Sequence, residues 1–323
     1  MEIILQLLLL AIGFVLLIKG ADFLVDGASS VASNFKVSKL LVGLTIVAFG
    51  TGAPELAVSF SSLINGSTDI LVGNVIGSNI INVLLLIGIA AVIHPIKVNK
   101  DTVSKELPLL LLISTALITL LLDVNLAEAV INTFSRADAI ICLLFFCIFL
   151  YYLFSLAHKN KSEAKKIDKP KYKLGKSFIL TILGLIGIVA GSQLVVNSAS
   201  TIATTVGISE RIISLTIIAL GTSLPELVTT IIAAKKKESD LLVGNIVGSN
   251  IFNICIVLAL PVAFAGGITP NNFQIIDLTM LIISSILLCV LARRHHTISR
   301  FDGILMLALF LLYYGFIIYG AFA

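Results

Sequence analysis

The sequence predicts an all-α membrane protein: ten transmembrane helices arranged as two inverted-topology five-helix repeats. Three observations predict it. Of 323 residues, 58% are hydrophobic and only 12% charged, with a mean hydropathy of +1.10, whereas soluble domains run near a quarter charged. The apolar residues fall into long runs separated by short polar breaks. Shifted by 171 positions, the chain also aligns with itself without a gap over its two motif regions.

The same composition excludes other classes. A disordered chain shows the opposite balance, and a net charge of +4 is too small to suggest nucleic acid. Cys142, Cys147, Cys255 and Cys289 lie inside apolar runs without a Cys-x-x-Cys and read as reduced core residues. No basic residue precedes the first apolar run, so no cleaved signal peptide is expected. Trp is absent, which leaves Tyr and Phe as interfacial anchors.

Taken in order, spans are expected at roughly 3–18, 40–64, 70–93, 107–122, 137–157, 177–196, 211–234, 241–265, 274–292 and 302–320. Residues 1–157 form the first repeat, 158–176 a basic linker and 177–323 the second repeat. Positive charge orients them. Loops after the odd-numbered spans hold twenty of the 22 Lys and Arg, from Lys19, Lys36 and Lys39 through the linker to Arg293, Arg294 and Arg300. Only Arg136 and Arg211 fall on the other side. The expectation is a multi-pass plasma (inner) membrane protein with both termini outside and loop 158–176 in the cytoplasm. Five spans per repeat turn the second repeat upside down, and inverted repeats place a binding site near the midplane at their interface.

Two motifs recur at the 171-residue shift. Gly50-Thr51-Gly52-Ala53-Pro54-Glu55 falls on Gly221-Thr222-Ser223-Leu224-Pro225-Glu226, and the segment Gly73 to Asn82 on Gly244 to Asn253. Proline lacks an N–H and disfavours helix before it, so unwinding is expected near Gly50–Pro54 and Gly221–Pro225. The freed carbonyls then need an internal partner or a cation. Glu55 and Glu226 follow at once and read as the only acids deep in the long spans, with no Lys, Arg or His at that depth to pair them. Ser78 and Asn82, like Ser249 and Asn253, are four apart and share a helix face that can point toward the glutamates. Gly73, Gly77, Gly244 and Gly248 let that helix approach a neighbour closely. Asn79 and Asn250 project off the face as packing or backbone-capping groups, and Asp69 and Asp240 precede their helices as caps. His94, His158, His295 and His296 lie in cytoplasmic loops. The ligand inventory is all oxygen, which suits hard cations: Ca²⁺ first, Na⁺ alongside, Mn²⁺ after them, Zn²⁺ poorly.

These motifs resemble the α-repeats of the cation/calcium exchanger superfamily, most closely its prokaryotic sodium/calcium exchangers, over essentially the whole chain. The resemblance implies Na⁺/Ca²⁺ antiport by alternating access, with Ca²⁺ and Na⁺ as transported ions, no cofactor, no enzymatic activity and a functional monomer in the bilayer. It implies that Glu55 and Glu226 bind Ca²⁺ and share in Na⁺ coordination. Thr51, Thr222, Ser223 and the carbonyls of Ala48 and Ala219 assist them, and Ser78, Ser249, Asn82 and Asn253 match the remaining ligands. It also implies that the first and sixth spans slide over a fixed core. The linker has no room for the regulatory Ca²⁺-binding insertion of eukaryotic relatives.

Two positions depart from the family pattern. Gly52 stands where the family usually has a hydroxyl residue; it removes a ligand and is expected to loosen the unwound segment. Asn253 stands where potassium-dependent members, and some prokaryotic exchangers, have Asp. The alternative function is a Ca²⁺/H⁺ (or other divalent cation/H⁺) antiporter of the same fold, whose signature places the glutamate in a Gly-Asn-x-x-Glu run not found at these motifs. A channel usually oligomerises one motif, whereas inverted halves in one chain favour alternating access. An intramembrane protease lacks its His-Glu-x-x-His here.

Overall fold

The computed structural model describes residues 2–126, 131–162, 170–206, 219–270 and 275–322. The apolar runs become helices in the expected order: α1 Glu2–Phe35, α2 Lys39–Thr51, α3 Ala53–Ile64, α4 Thr68–Ile93, α5 Thr102–Leu121 and α6 Arg136–Ser162. After the linker come α7 Leu174–Thr205, α8 Ala219–Thr222, α9 Leu224–Lys235, α10 Ser239–Ala265, α11 Ile275–His295 and α12 Arg300–Phe322. Among the described residues eight helices are long and apolar enough to cross a membrane, and the bent pair α2/α3 makes a ninth. Of the span expected at 211–234, residues 211–218 lie outside the described residues, and so does Arg211. The remainder is α8 and α9.

The first helix is twice as long as its apolar run. It covers 34 residues, about 50 Å at 1.5 Å per residue, against a hydrocarbon layer of about 30 Å. Lys19, expected in a loop, therefore sits exposed on the helix. Its partner is the equally long α7. The two cross antiparallel through Gly13, Gly20 and Gly27 on one side and Gly184, Gly187 and Gly191 on the other. A methyl on Gly20 would lie 2.8 Å from the Ile188 nitrogen, and one on Gly184 2.5 Å from the Leu24 nitrogen. The main chains touch, as small residues allow between membrane helices. At the far end of α1, Lys236 Nζ lies 2.6 Å from Asp22 and 2.7 Å from Asp26, and Lys171 reaches Asp26 at 2.6 Å.

The centre belongs to α4 and α10, with 72% and 83% of their most apolar stretch buried, against 17% for α1. Methyls on Gly43 and Gly244 would each fall 2.5 Å from a carbonyl of the other helix, Leu241 and Leu40 respectively. Gly248 presses on Leu44 in the same way. The close approach expected of the glycines thus holds for Gly244 and Gly248. Among the described residues nothing lies within 4 Å of a methyl on Gly73 or Gly77; the counterparts 211, 214 and 215 of the residues facing Gly244 and Gly248 lie outside the described residues.

Two short antiparallel strand pairs tie the loops together. β1 (Ile96–Lys97) pairs with β4 (Thr297–Ile298), and β2 (Phe134–Ser135) with β3 (Gly267–Ile268). β1 precedes α5 and β2 follows it, so the two pairs sit at opposite ends of the bundle.

One buried acid escaped the sequence. α5 begins at Thr102, five residues before the expected start, with a π-helical turn over Thr102–Glu106. The turn carries Glu106 to complete burial, where the Tyr152 hydroxyl of α6 donates to it. Glu55 and Glu226 are therefore not the only acids in the apolar interior. At the 171 shift stands Asp277 of α11, which accepts from Tyr313 of α12 at 2.7 Å.

Candidate cation site

The helix breaks are narrower than expected. Only Gly52 and Ser223 leave helical geometry, with φ −79°, ψ 1° and φ −86°, ψ 3°, and the first break bends its span by 43°. Gly52 N–H still donates to the Ala48 carbonyl at 3.0 Å, and Leu56 and Leu227 donate back to Gly52 and Ser223 at 3.2 and 2.9 Å. One residue suffices because each proline falls in the first turn of the next helix, where no N–H is needed. The Ala48 carbonyl thus keeps its helical partner, with its second lone pair still able to face a cation. The carbonyl a proline deprives is four residues back, at Gly50 and Gly221. Gly221 accepts instead from the Ser192 hydroxyl of α7 at 3.0 Å; the 171 shift puts Ala21 of α1 in Ser192's place. Ala219 opens α8 at the position matching Ala48.

Because Pro-Glu starts a helix, Glu55 and Glu226 sit in the first turns of α3 and α9, where backbone N–H groups favour negative charge. They are 1% and 2% exposed. The two carboxyls lie close enough to interact electrostatically, and Thr51 lies near Glu226. Each keeps its Oε2 without a partner.

The asparagines come from α4 and α10, at the two places where those helices take a π-helical turn, Ile81–Leu86 and Asn253–Leu258. Asn82 Nδ2 donates to Asn250 Oδ1 at 2.9 Å, and Asn253 Nδ2 to Asn79 Oδ1 at 3.1 Å. Asn79 and Asn250 donate to each other's backbone carbonyls at 3.2 and 3.3 Å, the capping role the sequence suggested. Asn82 Oδ1 and Asn253 Oδ1 are left without partners, as are the hydroxyls of Ser223 and Ser249. Native interiors leave few buried polar atoms unpaired. Here six such oxygens, the two carboxylate Oε2 atoms among them, belong to the two repeated motifs. Among the described residues no group of three or more His, Cys, Asp or Glu could hold a metal, so the donor set is carboxylate, amide and hydroxyl oxygen, suited to hard cations.

The other expected residues divide between the halves. Thr51 is fully buried and donates to the Val47 carbonyl at 3.0 Å, and Ser78 is 3% exposed. Thr222 lines a cavity of about 370 Å³ between α7 and the breaks, beside Pro54, Ser192, Gln193 and Asn197. Gly52 has a reason other than flexibility, since Ser223 holds almost the same backbone angles. A methyl there would stand 3.1 Å from both the Phe252 ring and the Ala48 carbonyl. Phe252, stacked on Phe49 with centroids 4.9 Å apart, fills the side-chain space. Asp69 and Asp240 are not caps: α4 and α10 begin one residue before them, and Asp240 accepts from Asn99 at 2.7 Å.

Sequence reasoning missed Asn74 and Asn245, which recur at the 171 shift beside the glycines. Asn74 Nδ2 donates to the Glu55 carbonyl at 3.3 Å, and Asn245 Oδ1 lies 3.4 Å from the Thr51 hydroxyl. It also missed the buried hydroxyls of Ser59 and Thr230, one turn after each glutamate. Their recurrence in both halves was the available signal.

Known proteins resemble this arrangement. The family described as sodium/calcium exchanger protein matches residues 5–155 and 176–319. Inner membrane protein YrbG of Escherichia coli is 36% identical over 307 residues, 92% of this chain and 92% of the relative. Sodium/calcium exchanger MaX1 of Methanosarcina acetivorans is 29% identical over 333 residues, covering 93% and 95%. A solved structure of the sodium-calcium exchanger NCX_Mj superposes with a TM-score of 0.82 at 34% identity, over 96% of this chain and 97% of that one. With both halves matched, relatives aligned nearly end to end and an all-helical membrane fold in common, the chain belongs to the sodium/calcium exchanger family, on the prokaryotic branch of the cation/calcium exchanger superfamily.

Proposed function

We propose that this protein exchanges Na⁺ for Ca²⁺ across the plasma membrane by alternating access. Glu55 and Glu226 hold Ca²⁺ between them and share in Na⁺ binding, with Thr51, Thr222, Ser78, Ser223, Ser249, Asn82, Asn253 and the carbonyls of Ala48 and Ala219 as further oxygen ligands. The observation that carries this is the set of unpaired, buried oxygens on two motifs with two carboxylates and, among the described residues, no buried Lys or Arg beside them. Two negative charges balance one Ca²⁺, and a competing set of Na⁺ ions can take their place.

The architecture on which this rests is ten spans in two inverted five-helix halves, 1–157 and 177–323, joined by a cytoplasmic linker, with both termini outside. The strand pairs support it: β1 and β4 join the loops after spans three and nine, and β2 and β3 those after spans four and eight. Odd loops meet odd, and even meet even. On this orientation the cavity beside Thr222 opens outward, while Lys236 and its two aspartates close the cytoplasmic end.

The test is uptake of radiolabelled Ca²⁺ by reconstituted vesicles under an outward Na⁺ gradient at fixed pH. Uptake is expected to follow the Na⁺ gradient and to survive collapse of any pH gradient. Uptake that follows a proton gradient without Na⁺ assigns the Ca²⁺/H⁺ alternative instead.

A further inference from the structure

We infer that Asn79 and Asn250 are positioning residues that set the polarity of the ion site, by holding the amides of Asn253 and Asn82 with their oxygens toward the cation. The inference rests on the proposed cation site.

A side-chain amide has an accepting end and a donating end of nearly equal size, and only the accepting end suits a cation. The covalent structure of Asn82 or Asn253 does not choose between them. The choice is made behind them, and it starts from the main chain. The Asn250 carbonyl can only accept, so Asn79 must offer it Nδ2, at 3.2 Å. That turns Asn79 Oδ1 toward Asn253, which must then offer its own Nδ2, at 3.1 Å. Asn253 Oδ1 is what remains for the site. The mirror chain runs from the Asn79 carbonyl through Asn250, at 3.3 Å, to Asn82 Nδ2, at 2.9 Å. All four side chains are 2% exposed or less, so water does not compete. Turning any one amide sets two acceptors or two donors face to face and leaves buried polar groups unsatisfied. The orientation is therefore fixed by the network.

The wiring is crosswise. Asn79, from the first half, orients the second half's ligand, and Asn250 the first half's. Each also clasps the other's backbone where α4 meets α10.

Na⁺-driven exchange of radiolabelled Ca²⁺ by the full chain in vesicles tests this. Asn79→Leu keeps the shape but removes the acceptor, so Asn253 can turn its NH₂ into the site. Half-saturating Na⁺ is expected to rise about tenfold, with the rate at saturating Na⁺ kept within about twofold. Asn79→Asp keeps an acceptor in either protonation state, and half-saturating Na⁺ should stay at or below the wild-type value. Once Asn253→Ala has removed the amide, adding Asn79→Leu should change nothing further. Additive losses in that double variant, an unchanged half-saturation in Asn79→Leu, or an equal loss in Asn79→Asp would overturn the assignment. If Asn79→Leu does not fold, the mirror set, Asn250→Leu with and without Asn82→Ala, carries the same expectations. Transport that survives Glu55→Gln overturns the site itself, whereas additivity at Asn79 overturns only the positioning role.

Discussion

The two helix breaks share a backbone but not their surroundings. Gly52 and Ser223 differ by less than ten degrees in either torsion. Yet Thr51 is sealed in the interior beside a break covered by Phe252, whereas Thr222 faces a cavity. The Gly221 carbonyl is held by Ser192 of α7, and Ala21 of α1 has no hydroxyl to do the same for Gly50. The two halves thus present near-identical ligands with unequal access. On the proposed cycle, the contrast between the halves in one conformation previews the contrast between conformations in one half.

The largest expected effect tests what the halves share. Glu55→Gln and Glu226→Gln should each abolish Ca²⁺ exchange in a folded protein. Either change leaves a divalent ion under-compensated in a buried site, on the order of 3–5 kcal/mol by analogy with a broken buried ion pair. Transport retained in one of them removes that residue from the site and breaks the symmetry. Next comes access. A Cys at Thr222 should react with an external membrane-impermeant thiol reagent at least about tenfold faster than a Cys at Thr51, if a sealed site opens only in a minor state. Equal rates would mean that the cavity does not distinguish the breaks.

A smaller effect sharpens the role of Gly52. Gly52→Ser alone presses its side chain on Phe252 and should weaken Na⁺ and Ca²⁺ together by a few-fold, at an overpacking cost of about 1–2 kcal/mol. Adding Phe252→Ile, the residue the first half has at Ile81, clears the space. Half-saturating Na⁺ should then fall below the wild-type value, and failure of the pair to improve on Gly52→Ser would remove the ring as the cause. The smallest expected effect is none. With Asn253 neutral the site carries two carboxylates, enough for Ca²⁺, so replacing K⁺ by choline on both sides should leave Na⁺-driven flux unchanged.

Much of this fold was written in local pattern, and what was missed lies in long-range contacts. The internal repeat and the order of the spans follow from apolar runs and a shift of the sequence against itself. The length of α1 does not, because past Lys19 the helix is held by its glycine contacts with α7 rather than by hydropathy. The break at Gly52 looked wide because proline chemistry was read without the first-turn position that makes it cheap. Burial of Glu106 depends on a π-helical turn and on Tyr152, 46 residues away. The oxygen-rich character of the candidate site was legible, but which end of an amide is left unpaired depends on four residues from two distant segments.

On the proposed cycle, the lysine bridge at the end of α1 favours one posture at rest. Asp22 and Asp26 grip Lys236, and Lys171 adds a third tie; the 171 shift replaces the two acids by Gln193 and Asn197, which line the open cavity. If α1 and α7 move as the proposed cycle requires, one end of the pair closes on charge and the other on neutral amides. Each ion pair is partly exposed and worth about 1 kcal/mol or less, and salt weakens it within a Debye length of about 8 Å. The hydrogen bond to Asp26 holds the Lys171 ammonium above the usual lysine range, so this tie is intact at neutral pH and is lost as pH rises through that raised value. On the proposed orientation the inner door is bolted, while the outer one stands open with only neutral amides to close it. Cytosolic ionic strength would then set how long the bolt stays home, and an exchanger of the proposed function, when idle, would guard the low-calcium side by default.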